Sequence, residues 1–177
     1  MAFITICRDL GMRFALLILL SLSLHRLVLG QAPGTKLWEK EVAADGASSW
    51  YSPALGDNGT LYVVAGGRLL ALDGKSGAQV WEFQGATEVV SDPVIGSDGT
   101  VYVGFKGGWV FALEGATGAR KWLRRLETSN CYWFTFAIGS DGAVYVTSSP
   151  QGKVWALEGS NGILKWEVGL DGGGDLW

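Results

Sequence analysis

Histidine occurs once in this chain of 177 residues, cysteine and methionine twice each, and proline four times. Their positions sharpen the scarcity: His25, Met1, Met12 and Cys7 all stand within the first thirty residues. That stretch reads as a secretory signal peptide over residues 1–30. Arg8 and Arg13 precede an apolar run from Phe14 to Leu24, and Val28-Leu29-Gly30 offers small or neutral residues at a cleavage point. The run is too short for a comfortable membrane span, and His25-Arg26 interrupts it. An uncleaved anchor is the alternative. Lipid attachment would require a cysteine where Gln31 follows Gly30. Without residues 1–30 the chain has no His, no Met and one Cys, Cys131. A His-based catalytic triad, a His metal site and an internal disulfide are then excluded. Charge is scarce as well. The net is −3, or −5 once Arg8, Arg13, Arg26 and Asp9 are removed, which suits neither a nucleic acid nor an anionic membrane surface as partner. The expected location is secreted or periplasmic, in the cell envelope, with no span left after cleavage.

Glycine is plentiful at 27, tryptophan reaches nine, and no stretch after residue 30 shows sustained helical periodicity with caps. One segment is written three times: Ala71-Leu72-Asp73-Gly74-Lys75-Ser76-Gly77-Ala78-Gln79-Val80-Trp81, then Ala112 to Trp122, then Ala156 to Trp166. The period is 41 and then 44 residues, the length of one four-stranded propeller blade. Upstream of each copy an Asn-Gly or Asp-Gly pair (Asn58-Gly59, Asp98-Gly99, Asp141-Gly142) separates a short apolar run from a β-branched and aromatic run, a strong hairpin signal. Each unit reads as strands A to D: about 51–56, 60–65, 68–73 and 78–83 in the first. The second gives 91–96, 100–105, 109–114 and 119–125, and the third 134–139, 143–148, 153–158 and 163–168. The expected fold is all-β, a β-propeller of four-stranded antiparallel blades. Its blades are about 51–83, 91–125 and 134–168, within a repeat region 36–177 that follows a short linker, 31–35.

The repeated Trp suits a mechanical role. A buried Trp removes on the order of 150–250 Å² from water, worth up to ~4–6 kcal/mol as an upper bound. Trp38, Trp81, Trp122 and Trp166 are expected to dock blade on blade, packing on the neighbouring blade and on the Gly of the preceding turn (Gly77, Gly118 and Gly162).

The Ala-x-acid-x-x-Ser/Thr-Gly-x-x-x-Trp signature resembles the PQQ-like, or tryptophan-docking, propeller repeat over about residues 36–177, with Asn161 replacing Ser/Thr in the third copy. That family includes quinoprotein alcohol dehydrogenases and the propeller lipoprotein of the bacterial outer-membrane protein assembly machine. The resemblance implies a propeller of six to eight blades. It does not carry quinone binding here. The dehydrogenases use a vicinal Cys–Cys disulfide, a calcium ion and a catalytic Asp, whereas Cys131 stands alone in Asn130-Cys131-Tyr132. Asp57, Asp98 and Asp141 are assigned to turn chemistry, where Asp bonds back to the chain. No catalytic, cofactor-binding or metal-ligating residue is assigned, and no cofactor is expected. Cys131 reads as an unpaired structural thiol, the alternative being a pair with another chain. Lys121, Arg124 and Arg125 read as a basic cluster on a solvated outer strand. Aromatics recur eleven or twelve residues after three of the docking Trp (Trp38, Trp122 and Trp166), as Trp50, Tyr132-Trp133 and Trp177. They are candidates for a partner-facing central surface, with core packing as the competing account.

Three complete blades are fewer than the four to eight of a closed ring. Lys36 to Val42 resembles an orphan outer strand, 36–42, whose partners are missing. An incomplete ring, a fragment of a longer propeller, is the plain reading, and closure by self-association through open blade edges is the other. The expected function is a non-catalytic scaffold that binds a protein or ligand. The alternatives are the N-terminal part of a quinoprotein dehydrogenase and the sensor domain of a longer receptor.

Overall fold

The computed structural model describes residues 34–42, 51–127, 133–149 and 152–169. The chain divides into two units, Met1–Lys36 and Leu37–Trp177, and every sheet belongs to the second. The expected signal peptide, residues 1–30, and most of the linker over 31–35 lie outside the described residues.

Among the described residues twelve strands form three four-stranded antiparallel sheets, each in simple sequence order. Blade 1 is β1 (Ala54–Leu55), β2 (Thr60–Ala65), β3 (Arg68–Asp73) and β4 (Gln79–Phe83). Blade 2 is β5 (Val94–Ile95), β6 (Thr100–Phe105), β7 (Trp109–Glu114) and β8 (Arg120–Arg125). Blade 3 is β9 (Trp133–Ile138), β10 (Ala143–Ser149), β11 (Lys153–Glu158) and β12 (Leu164–Gly169). Among the described residues there is no helix long and apolar enough to cross a membrane.

The all-β propeller expectation holds, with two local corrections. The inner strands of blades 1 and 2 run for two residues where six were expected, while β9 runs for six. Pro53 and Pro93 explain the difference, because proline has no N–H to give a ladder; Phe136 stands at that place in blade 3 and pairs with Val146. Residues 36–42, expected as an outer strand, form no ladder. An outer strand exists by pairing with the third strand of its own blade, and no such strand lies beside this segment among the described residues.

The first turn of each blade is built alike. Gly59 donates to the Gly56 carbonyl at 2.8 Å and Gly56 donates to Thr60 at 2.9 Å, closing a three-residue loop with Gly59 at φ +81°. This is the type I turn with a left-handed third residue, which glycine adopts without strain.

Blades join through apolar faces that alternate along each strand. Tyr62, Val64, Leu69 and Ala71 on the outgoing face of blade 1 pack with Val101, Val103, Phe111 and Leu113 on the incoming face of blade 2. Tyr102, Val110 and Ala112 leave blade 2 by its other face to meet Val144, Val146, Trp155 and Leu157 of blade 3. Every residue of β6 is buried, because blade 2 has a neighbour on each side. On the inner side β1 lies against β5 and β5 against β9, so the three first strands line a common face.

Candidate functional site

The docking device starts in the third strand. Ala71, Ala112 and Ala156 are fully buried and stand opposite Trp81, Trp122 and Trp166 on the fourth strand. A methyl group at that position leaves room for the indole to lie across it. The next pair is out of register in every blade: Leu72 faces Gln79, Leu113 faces Arg120 and Leu157 faces Leu164. A bulge thus inserts Val80, Lys121 or Lys165 just before the Trp and re-aims its neighbours.

Trp38, Trp81 and Trp122 then each reach the blade that follows them. Trp38 Nε1 donates to the Gly74 carbonyl at 2.9 Å, Trp81 Nε1 to Gly115 at 2.8 Å and Trp122 Nε1 to Gly159 at 2.7 Å. The same rings lie flat against a glycine of the receiving turn. A Cβ on Gly77 would sit 2.6 Å from Trp38 Cε3, on Gly118 2.8 Å from Trp81 Cδ2, and on Gly162 2.6 Å from Trp122 Cε3. These glycines also take φ of +70° to +74°, so both shape and backbone call for glycine. The receiving glycine lies in the next repeat and not in the turn that precedes the Trp in sequence, which corrects the expected partner. Trp166 meets no such glycine among the described residues and is 46% exposed.

A tyrosine shares the work, and the sequence reading missed it. Tyr62 Oη donates to Gly115 O at 3.0 Å and Tyr102 Oη to Gly159 O at 3.2 Å, so each of these carbonyls accepts from both a Trp and a Tyr. Burial pushes both hydroxyls above their ordinary value and keeps them protonated as donors. The signal was present: Tyr62, Tyr102 and Tyr145 stand at one place in the three repeats.

The carboxylates belong to turns. Asp98 accepts from Thr100 N at 3.0 Å, Thr100 Oγ1 at 2.7 Å and Lys121 Nζ at 3.0 Å. Burial raises its carboxyl, but the Thr100 bonds and the Lys121 ammonium outweigh that and hold it at about 2. Asp141 accepts from Ala143 N at 3.1 Å and Lys165 Nζ at 3.3 Å, and the Ala143 bond, then Lys165, lowers it. In blade 1 the equivalent residue is Asn58, which accepts from Thr60 N at 3.0 Å; Asp57 stands one place earlier than its expected role. Asp73 accepts from the Ser76 hydroxyl at 2.7 Å, which lowers it.

The basic cluster around Trp122 is dispersed. Lys121 is held by Asp98, Arg124 Nη1 reaches the Gly162 carbonyl at 3.5 Å, and Arg125 lies 5.4 Å over the Trp109 ring. Among the described residues no group of three His, Cys, Asp or Glu side chains is placed to hold a metal ion. A cleft of about 420 Å³ between blades 1 and 2 has as its carboxylates Asp57, in the first turn of blade 1, and Glu114, the last residue of β7.

The inner face presents an aromatic pair. Trp133, 40% exposed, stacks on Tyr51 with centroids 5.2 Å apart and planes at 20°. Tyr51 Oη donates to Val89 O at 3.0 Å, and Ser52 N to Asp92 Oδ1 at 2.6 Å, tying blade 1 to the start of blade 2. Burial raises the Tyr51 hydroxyl, with Asp92 and Glu88 adding to it. Of the expected partner-facing aromatics, Trp133 is placed here; Trp50, Tyr132 and Trp177, with Cys131, lie outside the described residues.

The chain is 27% identical over 157 residues to outer membrane protein assembly factor BamB of Yersinia pestis, covering 81% of this chain and 39% of that one. It is 30% identical over 149 residues to the serine/threonine-protein kinase AfsK of Streptomyces griseus, covering 78% of this chain and 18% of the kinase. The chain thus spans about two fifths or less of these curated relatives. Its fold is similar to the crystal structure of BamB from Moraxella catarrhalis, with TM-score 0.55, 23% identity, and 66% of this chain and 35% of that one covered. It is also similar to quinohemoprotein alcohol dehydrogenase from Comamonas testosteroni, with TM-score 0.53, 21% identity, and 67% and 20% covered. The family model described as outer membrane protein assembly factor BamB matches residues 26–175, and the chain belongs to this family of PQQ-like propeller repeats.

Proposed function

We propose that the chain is a non-catalytic propeller module of the cell envelope, exported by a signal within residues 1–30, that binds a protein partner through its inner face. The observation that carries this reading is the Tyr51–Trp133 pair, a rigid aromatic surface left 40% exposed at Trp133. Exposed, pinned aromatics supply contact area at low entropic cost and are enriched where proteins meet. The assembly role in the name of the Yersinia pestis relative supports a partner of the same kind. Asp98 and Asp141 are each engaged in a turn and paired with a lysine.

The test places a photo-crosslinking residue at position 133 in the producing cell, with one at exposed Thr87 as control. The reading expects a discrete crosslinked species from position 133 alone, weakened by Tyr51→Ala. Equal or absent crosslinking at both positions overturns it. Alcohol oxidation by the purified chain that depends on both added pyrroloquinoline quinone and calcium would instead select a dehydrogenase.

A further inference from the structure

Blades 2 and 3 carry one cross-strand pair with opposite chemistry. Phe111 stands opposite Leu123 across β7 and β8, and Trp155 stands opposite Glu167 at the same place across β11 and β12. In blade 3 the place is closed on itself. Trp155 Nε1 donates to Glu167 Oε2 at 3.0 Å, Lys153 Nζ donates to Glu167 Oε1 at 3.2 Å, and the Trp155 ring is 1% exposed. Blade 2 has Trp109 in the place of Lys153 and Leu123 in that of Glu167, so the same ion pair is absent and Leu123 is left 38% exposed.

What blade 2 offers there is a cleft of about 380 Å³, lying between β8 and the residues that follow β4. Phe83 packs edge-on against Phe111 at 5.2 Å and 62°, and against Phe105 at 6.0 Å and 81°. Phe105 in turn lies on Gly85, where a Cβ would come 2.5 Å from its Cε1. The floor is thus an interlocked set of rings, and both walls belong to complete four-stranded blades. Arg120, exposed, is the charged residue of the lining, and Arg125 stands 5.4 Å over the Trp109 ring. Among the described residues neither guanidinium is in an ion pair, and no carboxylate lines the cleft, although the whole chain carries −3.

We propose that this cleft binds a small apolar carboxylate, its ring or branched chain on the Phe83–Phe111 floor beside Leu123 and its acid group on Arg120. An apolar hollow with an unopposed cation is complementary to an apolar body carrying one negative charge. The guanidinium fork matches a carboxylate in shape as well as in charge. The volume falls near the lower end of small-ligand sites, about 300–1,000 Å³, which suits one ring with a short acidic arm. Glu167 of blade 3 supplies from within the chain the charge that blade 2 takes from the ligand. The site is separate from the inner face, since neither Tyr51 nor Trp133 lines it.

Titration of the purified chain with phenylpropionate and with isocaproate, followed by the amide and indole N–H signals in NMR, tests it. The Trp109 indole signal is assigned by its loss in Trp109→Phe. At least one acid should shift it saturably at about millimolar concentration, as so few ligand atoms allow. The matching primary alcohol should bind about tenfold more weakly, the scale of a charged hydrogen bond. Arg120→Gln should weaken the acid about tenfold and leave the alcohol unchanged. Leu123→Glu, which writes the acid of blade 3 into blade 2, should abolish acid binding, and Lys75→Gln in an exposed turn should change nothing. Residues 120 and 123 are exposed, so both variants keep the fold, and their unshifted signals elsewhere verify that. No saturable shift with either acid, equal binding of acid and alcohol, or indifference to Arg120→Gln would each overturn the proposal. So would tighter binding through Arg120 of the blocked peptide acetyl-Phe-Asp-amide, which would give the cleft to a segment of a protein.

Discussion

Trp122 and Trp166 occupy the same place in successive repeats, opposite Ala112 and Ala156, yet Trp122 is 7% exposed and Trp166 46%. Their own blades treat them alike. Each has a tyrosine on the second strand at nearly the same distance and tilt. The difference begins outside the blade: Trp122 has Gly159 and Gly162 of blade 3, and Trp166 has no such turn among the described residues. The orientation of the docking ring is therefore set by local pairing and the bulge, and its burial by the neighbour. Such a division is what a repeat architecture requires, since one sequence must both present a face and receive one.

The largest test of that division is to remove each ring. Trp122→Ala should cost about 3–5 kcal/mol, because it empties a filled joint and strips a donor from the Gly159 carbonyl. Trp166→Ala should change the stability of dilute protein by no more than about 0.5 kcal/mol, the range of an ordinary surface substitution. Urea unfolding followed by circular dichroism measures both. Equal losses would mean that the ring stabilises its own blade and that docking adds nothing.

Much of this was legible in the sequence. The second, third and fourth strands fall within a residue of where the Gly-bounded β-branched runs put them, because a tight turn and a period of two leave little freedom. The inner strands of blades 1 and 2 were drawn too long because the apolar pattern of Ala54-Leu55 and Val94-Ile95 says nothing about the missing N–H of Pro53 and Pro93. The direction of docking was not legible either. A Trp and a Gly recurring at fixed spacing fit a contact within one repeat as well as one between repeats, and only the packed blades separate the two. The Tyr51–Trp133 stack joins residues of blades 1 and 3, so no spacing within a repeat points to it.

A glycine pair sharpens the comparison from the receiving side. Gly162 and Gly142 both have φ between +70° and +80°, so alanine at either position costs about 1–2 kcal/mol for the left-handed backbone. Around Gly142 a Cβ would meet nothing within 4 Å, whereas at Gly162 it would sit 2.6 Å from Trp122 Cε3. Gly162→Ala should therefore cost at least about 1 kcal/mol more than Gly142→Ala, the scale of an overpacked contact. Equal costs would show that this glycine serves its turn and not the Trp laid over it.

The smallest expected effect separates the repeats by charge. Blade 2 pairs Asp98 with Lys121, where blade 1 has Asn58 and Val80 at the same turn and the same bulge. Asp98 is held at about 2, below the ordinary carboxylate value of about 3.9. A carboxyl lowered by folding adds stability that is fully present above the unfolded value and disappears as pH falls through about 4 toward 2. The pair is partly exposed, so its share is under about 1 kcal/mol and shrinks with salt. The double substitution Asp98→Asn with Lys121→Val copies blade 1 into blade 2 and keeps an oxygen to accept from Thr100 N. The wild-type chain should exceed this variant in stability above pH 4 at low salt, and the gap should narrow as pH falls from about 4 and close as it passes through about 2. Asp141, lowered in both proteins by Ala143 N and Lys165, leaves each with its own acid loss, so only the difference between the curves reports on Asp98. Parallel curves from pH 2 to 6 would mean that the lysine at the bulge is placed by the register shift alone, with its ammonium contributing nothing to how the turn is held.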